Sequence, residues 1–170
     1  MARLPIYIYP DPVLKKKSEP VKEVTKEIQN LLDSMTETMY AAPGVGLSGP
    51  QVGVLKRVVV IDVVYGREEK TAKKLYQLVN PEILEREGEI EWEEGCLSIP
   101  GFFATMKRSK KVVAQALDRS GKKIIIEAED LLAVCLQHEI NHLDGKLIID
   151  GASRLKRNMY LDKLKKQQIL

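Results

Sequence analysis

The sequence predicts an α+β fold in which antiparallel β-sheets pack around a central helix, with further helices near the N-terminus and the C-terminus. Two patterns support this prediction. First, apolar residues recur at helical spacing in separate segments of the chain. Second, the chain between the first and second of these helical segments consists of short β-rich runs bounded by turn residues. Because helices and strands fall in blocks and do not alternate, an α+β arrangement is favoured.

The first helix is predicted over residues 25–42. Its apolar positions follow a spacing of i, i+3, i+4, i+7 and i+11, and they are Ile28, Leu31, Leu32, Met35 and Met39. Pro43 disfavours helical geometry in the residue before it, and Gly44 permits the turn that follows. The helix should therefore end at Ala42 and lead into a glycine-rich loop, GVGLSGPQVG.

Five β-rich segments follow this loop. They cover residues 57–65, 74–79, 89–93, 111–117 and 122–128. Asn80 and Pro81 are expected to end the second segment, and the DRSG sequence at 118–121 predicts a hairpin turn between the last two. These segments supply the strands of the predicted sheets.

Two helices complete the chain. The central one is predicted over 130–143, closed by Asp144 and Gly145. The last helix begins at Ser153. Its apolar residues Leu155, Met159 and Leu164 are expected to lie on one face, and the rest of the helix is basic. This helix is either a solvated element packed on the core or a docking element for an anionic partner, and the sequence leaves both interpretations open.

Composition narrows the class of protein. A chain of 170 residues with 44% hydrophobic content fits one compact domain over 1–170, and a net charge of +3 is too mild to indicate a nucleic-acid-binding protein. No apolar run approaches the roughly 20 residues that span a bilayer, and prolines interrupt the N-terminus where a signal peptide would be apolar. We therefore expect a cytoplasmic protein with no membrane partner, whose two cysteines are reduced.

The two histidines of the chain, His138 and His142, are four residues apart and Glu139 follows the first directly. On a helix, positions i and i+4 share one face, so both imidazoles can reach one cation while Glu139 lies on the flank. The string HEINH is an instance of the HExxH pattern, in which the glutamate exchanges a proton with a water activated by the metal. The central helix is thus predicted to bind a catalytic metal ion.

A catalytic site of this kind usually has three protein ligands and one open position. Cys135 precedes His138 by three residues, but it lies about 10 Å along the helix from His142, too far for one ion to hold both. We therefore expect Cys135 to be a buried core residue. Cys96, which follows a β-rich segment beside Gly95, is the better third ligand.

The glycine-rich loop contains GxGxxG at Gly44, Gly46 and Gly49, but a helix enters this loop and a strand leaves it. The dinucleotide-binding motif requires the opposite order, so nucleotide binding is disfavoured. We interpret the segment as a loop whose small residues admit a close approach of substrate to the backbone. Gln51 supplies an amide donor there.

Three separated motifs, GVGLSGPQ, EGCLS and QHEINH, resemble in order and spacing the signature motifs of the peptide deformylases, commonly GxGLAAxQ, EGCLS and QHExDH. The similarity extends over nearly the whole chain and includes the YPDPVLKK opening, ETMY and SIPG. It implies an α+β enzyme that removes the formyl group from N-formyl-methionyl peptides and releases formate. It also implies one divalent ion, most commonly Fe²⁺, with Zn²⁺, Ni²⁺ or Co²⁺ able to substitute.

The resemblance also implies roles for individual residues. It implies that Cys96, His138 and His142 are the metal ligands and that Glu139 is the general acid/base. It implies that the Gln51 side chain and the Leu97 N–H are the oxyanion donors. It also implies that the substrate binds to Val45, Gly46 and Leu47. Association with the ribosome through the basic C-terminal helix would suit the role of the family.

The chain departs from the family motifs at four positions. Ser48 and Gly49 replace a pair of alanines, Asn141 replaces an aspartate, and Asp130 replaces a glycine found in many members. Because Asn141 lies about 60° around the helix from His138, we expect it to support the ligands, and Arg108 is its expected partner.

Two other functions fit part of these patterns. A zinc peptidase would also carry HExxH, although a cysteine as third ligand disfavours it. A non-catalytic module in which the ion only stabilises the fold would need four ligands, and only three good ones are visible.

Overall fold

A computed structural model of the chain describes residues 3–64 and 74–167. In these ranges three α-helices are present, α1 (Lys26–Ala41), α2 (Leu131–Leu143) and α3 (Arg154–Lys166). The strands are β1 (Gly46–Ser48), β2 (Val58–Ile61), β3 (Tyr76–Glu87), β4 (Ile90–Cys96), β5 (Ile99–Arg108), β6 (Lys111–Leu117) and β7 (Lys123–Glu129). Short 3₁₀ helices cover Pro12–Lys15, Gly49–Val52 and Ile148–Gly151. The strand pairings are antiparallel, which confirms the predicted α+β class.

Five strands form one sheet in the order β1-β2-β3-β6-β7, and β4 pairs with β5 in a second, two-stranded sheet. The two faces of β2 pack against different helices. Val58 and Val60 join the cluster that contains the apolar face of α1, whereas Val59 and Ile61 join the cluster that contains α2. This burial on both faces explains why β2 is an unbroken apolar run. The larger sheet therefore lies between α1 and α2.

The third helix closes a separate cluster against the two-stranded sheet. Tyr160 and Leu164 are buried there with Ile99, whereas Leu155 and Met159 are 69% and 61% exposed. The expectation that Leu155, Met159 and Leu164 share one face is therefore wrong. The packing face of α3 is the i, i+4 pair of Tyr160 and Leu164.

The predicted bounds of α1 and α2 are confirmed within one or two residues. Thr25 caps α1 by accepting a hydrogen bond from the N–H of Ile28. Asp130 precedes α2 with φ of 55° and makes no side-chain capping bond. None of the described helices combines the length and the apolar character that crossing a bilayer requires.

Three strand predictions need correction. The predicted strand 57–65 is ordered as a strand only over Val58–Ile61, and position 65 lies outside the described residues. Asn80 and Pro81 do not end β3, because Asn80 adopts a left-handed φ of 52° and the pairing with β6 shifts register there. The Asn80 side chain is bonded to both backbone groups of Val21, which stabilises that conformation. Strand β5 was not predicted.

Candidate active site

Helix α2 carries both histidines into the protein interior. Its apolar residues, including Ala133, Leu136 and Leu143, are buried against the larger sheet, so the helix is held firmly. His138 and His142 are 9% and 1% exposed, and their Nε2 atoms are 3.1 Å apart. The helical spacing thus brings the two imidazoles together as expected.

Cys96 reaches the same point from the other sheet. It is the last residue of β4, and the register shift between Gly95 and Cys96 changes the direction of the chain there. Its Sγ lies 3.3 Å from Nε2 of His142. The donor atoms of Cys96, His138 and His142 all lie within 4.8 Å of one another. With metal–ligand bonds of about 2.0–2.3 Å, a single ion can contact all three.

The charges around these donors favour a cation. Burial opposes a charge on His138, yet the carboxylate of Glu139 and the neighbouring Cys96 and Glu94 raise its pKa to about 10. Burial and the positive field of His138 hold the pKa of His142 well below its usual range. A thiolate with two imidazoles is a donor set that suits several divalent transition metals. The residues present therefore fit a divalent ion.

His138 is oriented by a buried ion pair. Its Nδ1 lies 2.9 Å from Oε1 of Glu94, and Arg108 donates to both carboxylate oxygens of Glu94 at 2.8 Å. Although burial raises the pKa of Glu94, the bonds from Arg108 and His138 hold it below its usual range. Arg108 also donates to Oδ1 of Asn141, the partner expected from the sequence. Such a chain holds the ring of a ligating histidine in one orientation.

Glu94 was not identified as a functional residue by the sequence reasoning, although it is the first residue of EGCLS. Its role depends on a tertiary contact with α2, which spacing along the chain cannot reveal. The motif itself was the signal that could have found it.

Glu139 lies beside the three donors and is 4% exposed. Its Oε2 is 4.0 Å from Nε2 of His138, and its Oε1 has no hydrogen-bond partner in the described part of the chain. Burial raises the pKa of Glu139 to about 7. A Cβ at Gly46 would come within 2.5 Å of Oε2, so any side chain at this position would displace the carboxylate of Glu139.

Gln51 belongs to the 3₁₀ helix Gly49–Val52 and is 1% exposed. Its Nε2 donates to Oγ of Ser98 at 3.1 Å and to Sγ of Cys96 at 3.5 Å. Leu97 follows Cys96 in the turn between β4 and β5, and its side chain packs over Gly44. The two expected oxyanion donors thus flank Cys96.

A cavity of about 470 Å³ opens next to these groups. The expected site residues on its wall are Val45, Gly46, Gln51, Cys96, Leu97, His138 and Glu139. Leu131, Val134 and Cys135 add apolar surface, and Cys135 also packs in the core as predicted. Leu47 is not on the wall because its side chain is fully buried with α1. The two cysteines are not joined by a disulfide.

Three converging metal-ligand atoms, a buried glutamate beside them and an apolar cavity define the class of a metal-dependent hydrolase. The family model of polypeptide deformylase matches residues 3–158. A peptide deformylase of Thermodesulfovibrio yellowstonii is 54% identical over 165 residues, which cover 97% of this chain and 98% of that protein. The chain belongs to the polypeptide deformylase family.

Solved structures support the same assignment. A peptide deformylase from Legionella pneumophila is similar with a TM-score of 0.88 and 47% identity over 99% of this chain and 98% of that one. One from Ehrlichia chaffeensis, solved in complex with actinonin, has a TM-score of 0.90 and 39% identity over 98% of both chains. The zinc peptidase and the non-catalytic module are accordingly not favoured.

Proposed function

We propose that this chain hydrolyses the N-formyl group of N-formyl-methionyl peptides at the start of new polypeptides and releases formate. One observation carries the proposal: the donor atoms of Cys96, His138 and His142 converge beside a buried glutamate at the wall of an apolar cavity. We infer that residues 1–170 act as one catalytic domain, because both sheets contribute to this site.

Cys96, His138 and His142 would hold the metal ion, and we propose Fe²⁺ as the native one, with Zn²⁺, Ni²⁺ or Co²⁺ able to substitute. Such an ion supplies a water of lowered pKa, which is the source of the nucleophile. Oε1 of Glu139 has no hydrogen-bond partner among the described residues, so this carboxylate would accept a proton from the attacking water. It would then return the proton to the amine that leaves.

The oxyanion formed at the formyl carbon needs donors that are already in place. We assign this role to Nε2 of Gln51 and to the N–H of Leu97, which flank Cys96. A donor of this kind typically contributes about 2.7–4 kcal/mol to transition-state stabilisation. Burial of Gln51 keeps bulk water from competing with the oxyanion.

The peptide itself would lie along β1, which is the first strand of the sheet and, among the described strands, pairs with β2 alone. The N–H of Asp62 donates to the C=O of Val45, so the polar backbone groups of the next residue, Gly46, point away from β2. An extended substrate can bond to Gly46 by strand addition, between Val45 and Leu47. The methionine side chain would occupy the apolar cavity.

Formate release from a formylated methionyl peptide tests the proposal, with anaerobically purified protein loaded with Fe²⁺ and then with Zn²⁺. The Glu139→Ala variant should lose turnover and retain its ion. Glu91 is an exposed glutamate on β4, and the Glu91→Ala variant should have the turnover of the wild type. Cleavage of internal peptide bonds without formate release would support the zinc peptidase instead. Full turnover by Glu139→Ala would overturn the assigned role of Glu139.

We further propose that α3 docks on the ribosome of the cytoplasm, where new chains emerge. Its outward face combines exposed Leu155 and Met159 with basic side chains, and ribosomal RNA is strongly anionic. Charge reversal of Lys156 and Lys163 should abolish salt-sensitive cosedimentation with ribosomes. Reversal of the exposed Lys16 and Lys17 is the matched control, and equal loss in both variants would refute the proposal.

A further inference from the structure

We propose that the hydroxyl of Ser48 is a positioning group for the reaction: it holds and polarises the amide of Gln51, the oxyanion donor. The proposal rests on the proposed function, because it assigns Ser48 a role only through Gln51. It concerns a position where the family motif has alanine, so it is a feature of this chain.

The hydrogen bonds around Gln51 define its orientation. Oε1 of Gln51 accepts two bonds at 3.0 Å, one from the N–H of Ser48 and one from the Ser48 hydroxyl. Nε2 points the other way and donates to Ser98 and Cys96. Because a backbone N–H can only donate, it must face Oε1, and Nε2 is thereby directed to the metal-ligand side.

The hydroxyl adds two effects to the backbone bond. The hydroxyl holds the amide plane of Gln51 by a second contact, so the side chain of Gln51 loses less freedom of motion when the oxyanion forms. It also withdraws charge from Oε1, which strengthens the N–H donors at the other end of the amide by hydrogen-bond cooperativity. Ser48 is fully buried and Gln51 is 1% exposed, so solvent does not replace this bond.

The neighbouring residue, Gly49, lies where the backbone leaves little space for a side chain. A Cβ at Gly49 would come within 2.6 Å of the carbonyl oxygens of Val54 and Lys56, so the alanine usual in the family does not fit here. No such conflict arises for Ser48→Ala, which only removes an oxygen. This substitution therefore tests the hydroxyl without enlarging the side chain.

The first measurement is the deformylation rate of the Fe²⁺-loaded enzyme. Ser48→Ala should lower kcat by about three- to tenfold, as expected for one neutral hydrogen bond, with KM unchanged. Ser48→Thr and Ser48→Val are a second pair of variants, nearly equal in size, in which only threonine has the hydroxyl. The kcat of Ser48→Thr should exceed the kcat of Ser48→Val by a similar factor. Ser18→Ala, another buried serine, is the matched control and should leave kcat unchanged.

A double-mutant cycle separates positioning from a structural effect. In a Gln51→Leu background, Ser48→Ala should no longer change kcat, because there is no amide left to position. An equal loss in both backgrounds, or wild-type kcat in Ser48→Ala, would overturn the proposal. Absence of formate release from the wild type would instead overturn the proposed function.

Discussion

At the scale of single residues, the site depends on how closely β1 approaches α2. Gly46 lies against the carboxylate of Glu139, and any larger side chain would compete for the space of Oε2. A catalytic carboxylate displaced by even 1 Å loses much of its efficiency. The backbone of β1 and the carboxylate of Glu139 are thus packed against each other.

We therefore predict that Gly46→Ala lowers kcat by about a hundredfold, since misplacement of about 1 Å can cost that much. Deformylation kinetics and metal content are the measurements, and metal content should be unchanged because the three ligands are not touched. Gly151→Ala is the matched control, because a Cβ there meets nothing within 4 Å. Wild-type kcat in Gly46→Ala would show that Glu139 does not need its observed position.

Asn141 is the second residue-scale case. Arg108 donates to its Oδ1 and also to Glu94, so this guanidinium connects Asn141 with the partner of His138. The bond from Arg108 to Asn141 has one charged partner, and an aspartate at position 141 would make both partners charged. Asn141→Asp should therefore stabilise the protein by about 1 kcal/mol and raise Tm by about 2–4 °C.

Thermal unfolding and the rate of ion loss to a chelator would measure this effect. Asn141→Leu should move both quantities in the opposite direction. If Asn141→Asp changes neither Tm nor ion retention, the carboxylate usual in the family has no stabilising role in this chain.

At the scale of elements, a helix or strand can be predicted from the sequence when its order depends on residues close together in the chain. The pattern of apolar residues in α1 and α2 is local, and both helices were predicted closely. The two histidines follow from helical spacing alone. Strand β5 was missed because its order comes from pairing with β4, and because Pro100 and Gly101 directly follow its first residue, Ile99. The contact of Glu94 with His138 depends on that same tertiary arrangement.

Strand β3 also shows that local sequence does not decide where a strand ends. Asn80 and Pro81 have the composition of a turn, but a left-handed Asn80 bonded to Val21 allows the strand to continue past them. A register shift in the pairing with β6 then absorbs the proline. Local propensity was overridden by a contact 59 positions away in sequence.

The start of α2 gives the element-scale prediction. Asp130 has φ of 55° and ψ of −125°, a region that essentially only glycine adopts without strain, and its side chain makes no capping bond. Asp130→Gly should stabilise the protein by about 1 kcal/mol, which raises Tm by about 2–4 °C. Differential scanning calorimetry would test it. Asn80 is the other non-glycine residue with positive φ in the described part of the chain. Asn80→Gly should instead lower Tm, because it removes two bonds to Val21. A loss of stability in both variants would contradict the strain argument.

At the scale of the whole molecule, the three expected metal ligands come from two different layers of the fold. Cys96 comes from the two-stranded sheet and the histidines from the helix packed on the five-stranded sheet. The three hydrophobic clusters each include a different helix. An ion held by Cys96, His138 and His142 would therefore cross-link two of these layers.

This cross-link predicts that the ion contributes to global stability as well as to chemistry. A ligand that binds only the native state at a hundred times its Kd adds about 2.7 kcal/mol, which for a chain of this size raises Tm by about 5–11 °C. The experiment compares thermal unfolding in buffered Zn²⁺ with unfolding in excess chelator. His142→Ala should lose most of this difference, whereas Cys135→Ala, which removes a thiol that is not a ligand, should keep it. An equal Tm with and without ion, or the same shift in His142→Ala, would mean that the three donors do not act together on one ion.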